Sequence, residues 1–182
     1  MIHELAQVHT ENIGKGTSIW QYSIILKNAI IGDNCNINCH VFIENDVEIK
    51  NNVTIKSGVY LWDGLTVENN VFIGPNVTFI NDERPRSKQY PVSFQRTILR
   101  EYCSIGAAAV ILGGLIIGEY AMVGAGSLVT KNVPARALVF GSPALIVGWL
   151  NNDGTKMKHT NGKFYDNFGA VWEEINGELY KK

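Results

Sequence analysis

The chain has 182 residues, 46% hydrophobic and 18% charged, with a formal net charge of −1. No basic field points to nucleic acid or a membrane surface, and the length fits one domain with a tail. No twenty-residue apolar run occurs, and His3, Glu4 and Gln7 interrupt the start, so neither a membrane span nor a signal peptide is expected and a cytoplasmic protein is.

Residues 1–12 read as a lead into a first coil, with His3 and His9 near an open end that needs covering. From Ile13 a six-residue period begins, and it is cleanest from Ile31 to Phe79: IGDNCN, INCHVF, IENDVE, IKNNVT, IKSGVY, LWDGLT, VENNVF, IGPNVT, F. Neither a helix nor a simple strand gives that spacing; a hexapeptide period marks a parallel β-helix. Position four is Gly, Asn or Asp at Gly16, Asn28, Asn34, Asp46, Asn52, Gly58, Gly64, Asn70 and Asn76. These residues tolerate a left-handed backbone, so a corner is expected at each. Three hexads make a coil of eighteen residues. Stacking then puts Ile13, Ile31, Ile49 and Val67 on a first face, Ile19, Ile37, Ile55 and Ile73 on a second, and Ile25, Ile43, Leu61 and Phe79 on a third. Cys35, Cys39 and Cys103 form an odd set without a metal-type spacing, and are read as reduced thiols.

Residues 80–98, INDERPRSKQYPVSFQRTI, break the period. They are charged, contain Pro85 and Pro91, and span a gap that is not a multiple of six, so they are expected to form a loop thrown out from the prism. The ladder resumes at Leu99, Ile105, Ile111, Ile117, Val123, Val129 and Ala135, with Gly114, Gly126 and Asn132 at corners. These rungs are rich in Gly and Ala, which lets a ligand approach the backbone or simply fits a tight prism. After FGSPA (140–144) the period ends. Residues 149–182 read as a small extension to a 1–148 domain, with Asn-Gly turns in TNGK and INGE implying hairpins. VWEEI (171–175) reads as either a strand or one turn of helix.

Two stretches, LWDGLTVENNVFIGPNVTFINDERPRSKQYP (61–91) and VGAGSLVTKNVPARALVFGSPA (123–144), resemble the hexapeptide-repeat sugar N-acetyltransferases, in particular those acting on dTDP-3-amino-3,6-dideoxyhexoses. The resemblance implies an all-β, left-handed parallel β-helix. It also implies acetyl-CoA as co-substrate without a metal, and a homotrimer with acetyl-CoA in the groove between prisms and a nucleotide-sugar substrate entering from the other end. Cyclic symmetry suits three flat-sided prisms.

Carried onto this sequence, the resemblance makes Asn81 the amide that contacts the sugar amine. Counting by eighteens puts Asp63 one rung below Asn81, roughly 4.8 Å away. Trp62, Asp63, Asn81 and Asp82 then cluster at the loop root, with Arg84 and Arg86 on the loop as further substrate contacts. Gly106, Ala107, Gly124 and Ala125 are the expected backbone contacts for the pantetheine arm, and Lys131 and Arg136 the partners of its phosphates. His40 is either a corner residue or a general base.

An amine needs no base once neutral, only alignment and a donor to the developing oxyanion. Direct attack of the amine on the thioester is therefore the leading mechanism. The alternatives are an O-acetyltransferase using His40 as base and a non-catalytic trimeric scaffold. A zinc hydratase needs three converging His ligands, and the repeats hold only His40.

Overall fold

The computed structural model describes residues 1–182. Every regular element in it is a strand, so no helix is long and apolar enough to cross a membrane. Two-residue strands, most of them pairing in parallel with the strand eighteen residues on, stack into three sheets around a triangular core. The registers are those the period predicts: Ile31 opposite Ile49 and Ile49 opposite Val67 on the first face, Ile37 opposite Ile55 and Ile55 opposite Ile73 on the second, Ile25 opposite Ile43 on the third. Nearly all of these aliphatic side chains are fully buried and belong to one continuous cluster. The period exists because an eighteen-residue coil offers three inward aliphatic positions per turn, and a missing one leaves a gap in a close-packed column.

The first coil starts earlier than expected. Ile2 bridges to Ile19 and Gln7–Val8 pairs with Ile24–Ile25, so residues 1–12 are themselves a rung rather than a lead-in. At the other end the ladder residue is Val133, paired with Ile117, while Ala135 is exposed. The last coil is two residues short of eighteen, which moves the inward position from 135 to 133.

The corners also correct the reading of position four. Asn34, Asn52, Asn70, Asn76 and Gly58 are left-handed, but so are Tyr22, His40, Tyr102, Ala108 and Tyr120, whereas Asn28, Asp46 and Asn132 are not. From Gly16 to Gly126 the two corners after the first and second faces take the left-handed turn in each coil, whatever residue stands there. The corner after the third face takes it only at Gly64 and Gly114. Asn and Asp do a second job one position earlier. Asp33 Oδ1 accepts the Lys15 N–H at 2.6 Å, Asn51 Oδ1 the Asp33 N–H at 2.8 Å, and Asn69 Oδ1 the Asn51 N–H at 3.0 Å. Each side chain thus caps a corner amide of the coil below.

The loop leaves at the third corner. Leu99 stacks on Val67, 32 residues back rather than 18, and the next rungs follow in the old register: Ile73 to Ile105, Phe79 to Ile111. Beyond the last coil, Ala137–Gly141 and Ala144–Trp149 form an antiparallel hairpin on the second sheet. A separate four-stranded antiparallel sheet covers Lys158–Thr160, Lys163–Tyr165, Val171–Ile175 and Glu178–Lys181. VWEEI is therefore a strand. Its turns at Asn161-Gly162 and Asn176-Gly177 have positive φ at both central residues, the geometry of type I′ hairpins.

This extension is fastened by a cation–π column. Tyr102 stacks flat on Tyr120 (4.7 Å, 4°), the Arg136 guanidinium lies 4.8 Å from the Tyr120 ring and 5.0 Å from the Trp172 ring, and its Nη1 donates to Asn152 Oδ1 at 2.6 Å. All three thiols are free, and burial pushes the Cys103 thiol up to about 12 and raises Cys35, as inert core cysteines require.

Candidate active site

Asn81 stands at the exit of the loop, one residue past the rung residue Ile80. Its Nδ2 donates to the Asp63 carbonyl at 3.1 Å, which realises the eighteen-residue adjacency and fixes the amide plane. Oδ1 takes no hydrogen bond from within the chain and is left as an acceptor. Asn81 lines a narrow cleft with Trp62, Asp63 and Gln95, and a larger open cavity of about 330 Å³ with Asp82, Glu83, Arg84, Ser93 and Gln95.

Asp63 is more structural than expected. Its Oδ1 accepts the Asp46 N–H at 2.7 Å, the same corner cap seen along the first corner, and its own N–H donates to Glu44 Oε2 at 2.7 Å. Glu44 was missed in the sequence, although it lies eighteen residues before Trp62 and so directly beneath it. Burial raises the Glu44 pKa above the usual carboxylate value and the Asp63 charge adds to this, against the lowering effect of the Asp63 N–H. Glu44, Asp63, Asp82 and Glu83 make the loop root acidic, which suits a substrate that arrives as an ammonium.

On the loop, Asp82 Oδ1 accepts the Arg84 N–H at 2.9 Å, holding Arg84 at the mouth of the larger cavity. Arg86 instead donates to the adjacent Pro85 carbonyl and does not line that cavity. The loop's return strand is stitched to the prism. Thr97 pairs with Leu65, Gly114 N–H donates to Thr97 Oγ1 at 3.1 Å, and Arg96 pairs with Asp46 at 2.7 Å.

His40 lies elsewhere. It occupies a left-handed corner between the second and third faces, stacks on Tyr22 at 5.1 Å, and shares a cavity of about 380 Å³ with Phe42, Tyr60 and Trp62. No carboxylate or carbonyl orients its imidazole, and the third face separates it from the corner that carries Asn81. The general-base reading of His40 therefore has no geometric support within one chain.

Gly106, Ala107, Gly124 and Ala125 sit on that same second corner, not on the loop corner. The glycines there serve close stacking: a Cβ on Gly106 would lie 2.5 Å from the Ala125 nitrogen, and one on Gly124 would lie 1.9 Å from the Phe140 ring. The Ala107 and Ala125 amides, one rung apart, donate to no acceptor in the chain. They are free donors on an accessible edge. Within one chain these amides and Asn81 are not brought together, so the two halves meet only if the second corner of one prism faces the loop corner of another. Lys131 is exposed and forms no ion pair. Arg136 is engaged by Tyr120, Trp172 and Asn152, so its guanidinium is not the free phosphate partner that the sequence implied.

Comparison with known proteins bears on what this arrangement does. The family model described as bacterial transferase hexapeptide (six repeats) matches residues 12–45. The chain is 57% identical, over 97% of its length and 92% of the relative's, to the dTDP-3-amino-3,6-dideoxy-alpha-D-galactopyranose 3-N-acetyltransferase of Aneurinibacillus thermoaerophilus. It is 34% identical over 56% of its length to a galactoside O-acetyltransferase of Lactococcus lactis, covering 51% of that protein. Among solved structures it resembles AntD, an N-acyltransferase from Bacillus cereus, a mutant form of which was crystallised with dTDP and coenzyme A. The TM-score is 0.62 at 18% identity, covering 84% of this chain and 81% of that one, a likeness of fold. With an aligned relative this similar along nearly its whole length, the chain belongs to the left-handed β-helix, hexapeptide-repeat sugar N-acetyltransferases.

Proposed function

We propose that the protein transfers the acetyl group of acetyl-CoA to the 3-amino group of a dTDP-linked 3-amino-3,6-dideoxyhexose, with the galacto sugar of its 57%-identical relative as the first substrate to test. The observation that carries the site assignment is the Asn81 amide, anchored through Nδ2 to the Asp63 carbonyl with Oδ1 left to accept from an amine. The acidic loop root draws the substrate in as an ammonium. The ammonium gives one proton to solvent in the open cavity, and an N–H bond of the neutral amine then points at Asn81 Oδ1, which directs the nitrogen lone pair outward to the thioester. The N–C bond forms, a tetrahedral oxyanion develops, the C–S bond breaks, and the amine's proton ends on the CoA sulfur. From the neutral amine the transfer is proton-neutral, amine plus thioester giving amide plus thiol, and the one proton lost by the ammonium has already gone to solvent, so no permanent base is required.

The free amides of Ala107 or Ala125 on an adjacent prism supply the oxyanion donor. That step needs a second prism, and a homotrimer with three equivalent inter-prism clefts is the assembly proposed to provide it. Gly106 and Gly124 keep the edge narrow enough for the pantetheine arm, and Lys131 is the phosphate contact that remains available. Trp62 forms the floor between the amine site and the aromatic cavity. Asp63 and Glu44 hold that floor in place. A cytoplasmic location follows from the supply of nucleotide sugars and acetyl-CoA.

The test is thiol release with acetyl-CoA and two sugars, the dTDP-3-amino sugar and its 3-hydroxy counterpart. Release with the amine alone supports N-acetylation by an enzyme without a base. Equal release with the alcohol refutes it, and no release with either refutes catalysis on this substrate class.

A further inference from the structure

Gln95 is held firmly in the candidate site, yet its side chain has nothing in the protein to bond. Its backbone N–H donates to the Asn81 carbonyl at 3.1 Å, tying the loop's return to its exit. Three glycines leave the space it occupies. A Cβ on Gly113 would lie 2.2 Å from Gln95 Oε1, 2.9 Å from the Ile80 carbonyl oxygen and 3.1 Å from Gln95 Cβ, and a Cβ on Gly64 would lie 2.6 Å from the Gln95 carbonyl oxygen. Gly114 carries φ +75° beside the same side chain. The carboxamide so seated forms no hydrogen bond within the chain and is not sealed from solvent. It lines both the narrow cleft and the larger cavity that contain Asn81.

We infer that Gln95 is a specificity-determining residue that reads a hydroxyl next to the reacting amine. This rests on the N-acetyltransferase reading of the site. A carboxamide offers both donor and acceptor, which matches a hydroxyl, itself donor and acceptor. A 3-amino-3,6-dideoxyhexose carries a hydroxyl on each carbon flanking the amine. With the amine on Asn81 Oδ1, a flanking hydroxyl faces the residue bonded to the Asn81 backbone. A carboxylate or a cation in this position would favour one half of the hydroxyl. The neutral amide engages both halves and leaves the amine's charge state to the surrounding carboxylates. The three glycines matter because any side chain at 113 would push the amide out of reach.

The experiment measures kcat/KM for wild type, Gln95→Ala and Gly113→Ala on three substrates: the intact dTDP-3-amino-3,6-dideoxyhexose and its 2-deoxy and 4-deoxy analogues. Thermal melting of each variant is recorded in parallel. Gln95→Ala should lose roughly tenfold on the intact sugar, one hydrogen bond's worth, and about nothing on the one analogue that lacks the hydroxyl it reads. Gly113→Ala retains Gln95 but fills its slot, so it should give the same substrate pattern and substitutes for Gln95→Ala if that variant fails to fold. A uniform loss on all three sugars, or no loss on any, overturns the role of Gln95. If wild type releases no thiol with any of the three, the underlying N-acetyltransferase reading fails instead.

Discussion

Replacing Asn81 separates the catalytic role proposed for it from its structural one. The amide makes one hydrogen bond within the chain, to the Asp63 carbonyl at 3.1 Å, and Asn81 is only half-buried. Water can replace that bond in Asn81→Ala, so the stability cost should be about 1 kcal/mol or less. The transition state loses more. It forfeits a hydrogen bond to a nitrogen that becomes positive as it attacks, worth about 1.5–3 kcal/mol, and some alignment with it. The expected fall in kcat/KM is roughly 10- to 150-fold, mostly in kcat, because the bond strengthens as charge develops. Asn81→Asp should behave differently. A carboxylate cannot donate to the Asp63 carbonyl, and it stabilises the ammonium form of the substrate, raising the amine's pKa. The neutral fraction at a given pH then falls, so the rising limb of the pH–rate profile should move to higher pH. The assay is CoA release followed with a thiol reagent across neutral to alkaline pH. Asn81→Ala within twofold of wild type, with an unchanged melting curve, refutes the placement of the amine at Asn81.

Other consequences are checkable on the same protein. Ile73 is fully buried between Ile55 and Ile105, so Ile73→Ala should cost about 3 kcal/mol and lower Tm by roughly 10 °C; calorimetry checks it. Arg136→Lys keeps the charge but loses the flat guanidinium between Tyr120 and Trp172, so limited proteolysis should release the 158–182 sheet while the affinity for CoA is retained. Glu44 has a folded-state pKa above its usual value of 4.5, so the fold holds that proton more tightly than the unfolded chain does and stability falls as pH rises through the window just above 4.5. Glu44→Gln still accepts the Asp63 N–H, so it should raise Tm at neutral pH and lose that advantage in acid, as read from melting curves at the two pH values.

The ladder was legible because burial enforces it. One inward aliphatic side chain every six residues is a strong constraint, and from Ile19 to Phe79 every position read as inward is inward. The corner assignment was less secure. Stacked coils impose the left-handed turn on Tyr22, Tyr102 and Tyr120 as well as on Asn, and two of these tyrosines stack on each other. Asn28 and Asp46 carry corner-type side chains at a corner that does not need them. Adjacency along the prism was also readable: eighteen residues link Asp63 to Asn81, and the same count applied to Trp62 reaches Glu44. Gln95 was beyond that count because the loop interrupts the register between Phe79 and Leu99. The intramolecular engagement of Arg136 was hidden for a similar reason. Its partner Trp172 lies in a tail without a period, and nothing in the linear sequence brings residue 172 to residue 136.

The most direct examination is a structure of the protein with CoA and the dTDP-3-amino sugar bound together. The sugar nitrogen should lie at hydrogen-bonding distance from Asn81 Oδ1, about 2.7–3.2 Å, with the CoA sulfur on the opposite side of that nitrogen and contributed across a boundary between two prisms. An amine bound in the His40–Tyr22 cavity instead, or a CoA molecule contained within one prism, would contradict the assignment of the loop root as the place where the amide bond forms.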